Sequence, residues 1–199
     1  MKTLQWQHFL EEQSSVYGKK LFTVTELANV ANTSPQSLNV ELSRLKKRGV
    51  IEQYTYGKYG LPKKINHIDL LKSIDSRAYI TSLSALFYHG LITQVPKKII
   101  CFTNRRHNRS RIRQTPVGHY VFICVSRAIY NFPAEEPIAL PEQALLDYVY
   151  LMRRKNVQPE RLVTFRSFHT LSKSKIFDIS KLYPHTVTKH VNAILKNYE

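Results

Sequence analysis

The chain has 199 residues, enough for one or two small domains with a buried core. Lys and Arg number 30 against 14 Asp and Glu, and a formal net charge of +16 favours a polyanionic partner, nucleic acid before an anionic membrane surface. Two cysteines, a polar N-terminus (MKTLQWQHFLEEQ) and no apolar run near the ~20 residues of a membrane span argue against a disulfide scaffold, a signal peptide and a spanning helix, and the expected location is the cytoplasm.

Leu4, Phe9 and Leu10 predict a first helix ending near Ser15. Thr23 and Glu26 form a capping-box pattern that opens a short helix through Ala31. Asn32-Thr33 makes a turn, Ser34 is an N-cap and Pro35 occupies the first helical position, where its missing N–H costs nothing. Gly49 ends this helix after Lys46, Lys47 and Arg48, which complement the negative end of its dipole. Two β-prone runs, Val50 to Tyr56 and Lys63 to Ile68, then flank a glycine-bearing loop and read as a hairpin. LLKSIDSR, up to Arg77, reads as a connector.

Beyond Ala78, Thr81 or Ser82 caps a helix ending at Gly90, with Leu83, Leu86 and Phe87 as its core face. KKIICFT and HYVFICVS read as strands that would bury Cys101 and Cys124 as free thiols, and the basic segment NRRHNRSRIRQTPVG between them reads as a loop. PIAL is a candidate short strand. Pro141 opens a helix to about Lys155 whose buried stripe is Ala144, Leu145, Tyr148, Leu151 and Met152. The tail holds one or two helices, including Thr186 to Asn197 with Val187, Val191, Ile194 and Leu195 on one side.

At a helical period, Leu38, Leu42 and Leu45 share one side of the helix that follows Ser34, and Gln36, Val40, Ser43 and Lys47 fall opposite. Short amide-, hydroxyl- and methyl-bearing side chains near the helix start can reach base edges, while cations toward its end take phosphates. Ser34, Gln36, Ser37, Asn39, Val40, Ser43, Arg44 and Lys47 are therefore the candidate reading surface. Val40 fits either a thymine methyl or a neighbouring helix. The order helix, turn, helix, hairpin matches a winged helix-turn-helix, and Tyr56, Lys58, Tyr59, Lys63 and Lys64 of the wing would meet a minor groove or a backbone. A solvated face on a protein–protein module is the competing reading, since fold alone does not settle function.

No Asp or Glu occurs from Ser76 to Ala134, where nine Lys and Arg fall. Arg105, Arg106, Arg109, Arg111 and Arg113 crowd into nine residues of it, either as a solvated loop or as a second anion contact. Hydrolase, phosphate-loop and zinc signatures are missing, and the histidines show no metal-ligand spacing, so no catalytic residue, metal or cofactor is expected. A nuclease in the second domain would need clustered carboxylates, for which only Glu135, Glu136, Glu142 and Asp147 are candidates, and Asp147 is more simply explained as the partner of a hairpin arginine. His89, before Gly90, reads as a capping or packing residue.

Ser84-Ala85-Leu86, Tyr88-His89-Gly90-Leu91-Ile92 and Gln94-Val95-Pro96, with the later Pro141-Glu142-Gln143-Ala144-Leu145-Leu146-Asp147, resemble the AbiEi-type antitoxins, winged-helix regulators of bacterial abortive-infection (type IV toxin–antitoxin) operons. The resemblance spans roughly Leu21 to Leu151. It implies a repressor that binds inverted repeats in its own promoter and neutralises a nucleotidyltransferase-like toxin, with or without direct contact. The alternative is a stand-alone winged-helix transcription factor whose second domain binds a ligand or mediates oligomers. The expected architecture is α+β: a winged helix-turn-helix over 1–70, then a mixed α/β domain with a small sheet over 78–199, ending in a helical tail from about 166.

Overall fold

In the computed structural model, which describes residues 2–108 and 110–198, the protein is a mixed α+β fold of eight α-helices and two small sheets. It divides into two compact units: one runs to Ile74 and takes in Gln114–Gly118, and the other holds Asp75–Arg113 and His119 onward.

The first unit contains α1 (Thr3–Val16), β1 (Phe22–Thr23), α2 (Val24–Val30), α3 (Pro35–Lys47), β2 (Glu52–Thr55), β3 (Lys58–Gly60) and α4 (His67–Ile74). The first expected helix forms as α1, on which Trp6 and Leu10 face the core four residues apart and Leu4 turns outward, 79% exposed. The capping box of α2 forms as expected: Thr23 Oγ1 accepts from the Glu26 N–H at 3.2 Å, and the Glu26 carboxylate accepts from the Thr23 N–H at 2.8 Å. Asn32 takes a left-handed φ of 49° in the turn, a conformation asparagine tolerates. Ser34 Oγ then caps α3 by accepting from the Ser37 N–H at 3.2 Å. Leu38, Leu42 and Leu45 pack with Trp6, Leu10, Phe22, Leu27, Ala28 and Ile51 into one apolar core.

The sheet of this unit is antiparallel, in the order β1-β3-β2. The hairpin differs from the expected one. Gly57, at φ 68°, closes a tight turn with Tyr56, so the return strand is Lys58–Gly60, and Lys63 to Ile68 forms no strand. Pro62 cannot donate to a ladder, Lys63 adopts φ 59°, and His67 already opens α4. Gly60 belongs in the strand because a Cβ there would run into the Lys20 backbone carbonyl.

The second unit contains β4 (Tyr79–Ile80), α5 (Ser82–Tyr88), β5 (Ile99–Thr103), the start of β6 (Ile112–Thr115), most of β7 (Gly118–Cys124), α6 (Pro141–Arg154), α7 (Lys173–Ser180) and α8 (His185–Asn197), while Gln114 and Thr115 of β6 and Gly118 of β7 group with the first unit. Its sheet runs β4-β5-β7-β6, with β5 and β7 parallel. β6 lies inside the segment read from sequence as a loop. Thr115 organises the turn into β7, accepting from the Gly118 N–H at 3.1 Å and donating to the Gly118 carbonyl at 2.7 Å. PIAL supplies a single parallel bridge, Ile80 to Ile138, and not a longer strand. Cys101 is buried and Cys124 exposed, both as free thiols, so the expected burial holds for the first alone. On α5, Ala85 and Leu86 are buried, whereas Phe87 is 39% exposed, contrary to the expected core face.

The expected stripe of α6 is buried, and so are Glu142, Gln143, Leu146, Asp147 and Val149, because α5, α7 and α8 all pack around this helix. Among the described residues Asp147 pairs with no arginine. Its carboxyl accepts from Thr81 Oγ1 at 2.5 Å, from the Tyr183 hydroxyl at 2.6 Å and from the Tyr79 hydroxyl at 3.4 Å. Burial pushes its pKa up to about 7 against the lowering effect of those donors. No helix among the described residues is long and apolar enough to cross a membrane.

Candidate nucleic-acid interface and a cationic cleft

The leucine anchor of α3 fixes which side of the helix the first unit leaves open. Ser34, Gln36, Ser37, Asn39, Val40, Ser43, Arg44 and Lys47 are all exposed. Val40 is 57% exposed, so its isopropyl group stays open to solvent and is not buried under a neighbouring helix. Two bonds hold the rod against α1: Trp6 Nε1 donates to the Glu41 carboxylate at 2.6 Å, and the Arg48 guanidinium donates to Thr3 Oγ1 at 2.8 Å. Arg44, Lys46 and Lys47 make the last turn of α3 cationic, and Lys46 bonds Gln53 of the adjoining strand at 3.1 Å.

The hairpin residues divide by environment. Tyr56, at the turn, is 91% exposed, and Lys63 and Lys64 are exposed beyond β3. Lys58 directs its ammonium to the end of α4, donating to the Ser73 carbonyl and, at 2.8 Å, to Ser73 Oγ. Tyr59 sits on the central strand, partly packed on the core, and burial, with Tyr56 nearby, pushes its phenol pKa up. Tyr56, Lys63 and Lys64 therefore remain open to a partner, while Lys58 is engaged within the unit.

The arginine run of the second unit also divides. Arg105, Arg106 and Arg111 line a cleft of about 520 Å³ together with Arg154 and Lys155 from the end of α6. Phe122, Ile123 and Leu151 supply apolar wall, and Cys124, His107 and Asn108 complete the lining. Arg113 points elsewhere: its guanidinium donates to the Ser110 carbonyl at 2.5 Å and the Ile112 carbonyl at 3.1 Å. Arg109 lies outside the described residues. Arg154 and Lys155 read from sequence only as charges at a helix end. No local signal ties them to a loop some fifty residues earlier, because β7 and α6 bring the two segments together.

His107 is held on two sides. Its ring stacks on Phe122, with centroids 4.4 Å apart and planes 22° apart, and Nε2 donates to Asp75 Oδ2 at 2.9 Å. Asp75 also accepts from Thr103 Oγ1 at 2.8 Å and from the Arg77 N–H at 3.0 Å. Burial works to raise the Asp75 pKa, but the bonds from His107, Thr103 and Arg77 outweigh it and hold the carboxyl below its ordinary range. His89, by contrast, serves packing: it caps α5 and donates from Nε2 to the Ala139 carbonyl at 2.8 Å.

Glu142 and Asp147 are buried in α6 and engaged internally, Glu142 accepting from the Ser172 N–H at 3.0 Å. Among the described residues no cluster of His, Cys, Asp and Glu could hold a metal ion. The first unit thus presents an open polar helix face with cations in its last turn, and the second unit, separately, a cleft lined by five cations. No protein-family model matches the chain, and no curated protein matches it.

Proposed function

We propose that the protein is a DNA-binding transcriptional autorepressor whose first unit is a winged helix-turn-helix, and that it acts in the cytoplasm as the antitoxin of a nucleotidyltransferase-like toxin in a phage-defence operon. The observation that carries the DNA-binding half is the two-sidedness of α3: three buried leucines hold it down, and every candidate reading residue on its outer side is exposed. Capped helix, tight turn, second helix and short hairpin follow in the order such a reader needs. Gln36 and Asn39 are the residue types that pair with adenine in the major groove, Val40 suits a thymine methyl, and Arg44 and Lys47 suit phosphates. Tyr56, Lys63 and Lys64 would follow the backbone or minor groove beside them.

The antitoxin half rests on the resemblance carried by Ser84–Leu86, Tyr88–Ile92, Gln94–Pro96 and Pro141–Asp147. Nuclease protection on the DNA upstream of the protein's own reading frame, at low ionic strength, tests the first half, with protected inverted repeats expected. Full-length protein that leaves this DNA unprotected would remove the reading. Gln36→Ala should relax base preference at one position of each half-site. For the second half, a nucleotidyltransferase-like reading frame next to this one, whose toxicity co-expression relieves, is the expected result.

A second reading is favoured by the cleft: a stand-alone winged-helix regulator whose second unit binds a small ligand. An operon without a toxin reading frame, together with protected promoter repeats, would select it.

A further inference from the structure

We infer that the cationic cleft of the second unit is a binding site for a nucleoside polyphosphate, gripped through its phosphate chain. Five cations converge there from three separate parts of the chain: Arg105 and Arg106 after β5, Arg111 before β6, and Arg154 and Lys155 at the end of α6. Among the described residues no carboxylate lines the cleft. Among the described residues none of the five takes part in an ion pair. So many like charges in one concavity repel one another, and a multiply charged anion relieves that repulsion. Four of the five are arginines, whose planar forks match phosphate oxygens two at a time.

The remaining lining argues for a nucleotide over a bare anion. Phe122, Ile123 and Leu151 give an apolar wall beside the cations, the combination that orients a ligand with one charged and one flat end. The volume of about 520 Å³ lies inside the range of roughly 300–1,000 Å³ typical of small-molecule sites. His107 is a positioning residue: stacked on Phe122 and anchored by Asp75, it fixes the segment that carries Arg105 and Arg106. Asp75 is committed to His107, Thr103 and the Arg77 N–H. A site without carboxylate ligands for magnesium is suited to holding the nucleotide, not to cleaving it. A continuous nucleic-acid track would need cations spaced along an open groove, whereas Arg113, the next arginine along, is turned onto backbone carbonyls.

This inference stands independently of DNA binding by the first unit. The test is a titration of the full-length protein with an N-methylanthraniloyl-labelled adenosine triphosphate, followed by fluorescence anisotropy at physiological salt. Saturable one-to-one binding is expected. Arg106→Ala and Arg154→Ala should each weaken it about tenfold or more, the loss expected for a charge-assisted contact. Arg113→Ala and Lys47→Ala should leave it unchanged. Both cleft arginines are exposed, so these variants should keep the wild-type melting temperature, and Arg154→Gln provides a second, more conservative probe. Non-saturable binding, or equal affinity in cleft and control variants, would overturn the proposal. Displacement of the label by tripolyphosphate as readily as by unlabelled nucleotide would overturn the nucleoside assignment. Displacement by a single-stranded oligonucleotide without terminal phosphates, as readily as by nucleotide, would show a nucleic-acid groove instead. Nucleotide binding that persists in a protein that ignores its promoter would sink only the DNA-binding reading.

Discussion

Asp147 and Asp75 are both buried carboxyls of the second unit, and their surroundings push them in opposite directions. Among the described residues Asp147 is bonded by neutral hydroxyls, so desolvation dominates and the folded-state pKa is raised to about 7. Between the unfolded value and about 7, the folded state holds a proton that the unfolded chain has lost. The stabilisation is thus complete in acid and fades as pH rises through that window, on the order of 4 kcal/mol as an upper figure. Asp75 has the opposite sign: its lowered pKa contributes stability above the unfolded value, lost as pH falls through the folded one. Urea unfolding from pH 4 to 8 should therefore show an arm that declines with pH, and Asp147→Asn should flatten it. Asp147→Ala should cost about 2–4 kcal/mol across the range, because the Thr81 and Tyr183 hydroxyls lose their acceptor. An arm unchanged in Asp147→Asn would assign it to other groups. Sequence placed Asp147 on a helix beside apolar neighbours, but Tyr183 and Thr81 are distant along the chain. The hydroxyl cage was therefore invisible, and an arginine looked like the simplest partner.

At the scale of elements, what is local was legible. The caps at Thr23 and Ser34 and the leucine side of α3 depend on residues within a turn or two of one another, and they form where the pattern put them. Strand β3 was missed because its identity depends on a distant backbone. Gly60 permits the close approach of the Lys20 carbonyl, and nothing near Gly60 in sequence announces that neighbour. Gly60→Ala should destabilise the first unit by roughly 1–3 kcal/mol, since a backbone carbonyl has little room to retreat. A thermal melt checks this, with a Gly49→Ala comparison at an uncrowded glycine that also has a positive φ, where strain alone acts. Strand β6 was missed for a related reason: Ile112 to Thr115 holds one apolar residue among polar ones and reads as loop until β7 supplies the pairing edge.

For the whole molecule, the excess of cations separates into two kinds of surface, and salt distinguishes them. Lys47→Ala should weaken all duplex sequences alike and reduce the log–log salt slope of DNA binding by about one. Arg106→Ala should leave that slope unchanged, because its anion is a small ligand. A reduced slope in both variants would make the cleft part of the DNA footprint. Composition and periodicity by themselves determined the mixed α+β class, the net positive charge and the open side of α3, because charge adds along a chain and helical faces repeat every few residues. Tertiary structure alone decided that Arg154 and Lys155 join Arg105, Arg106 and Arg111 around one cleft, that Arg113 does not, and that Asp147 is enclosed by hydroxyls. Those groupings bring together residues far apart in the chain, and only sheet pairing and the packing around α6 close such distances.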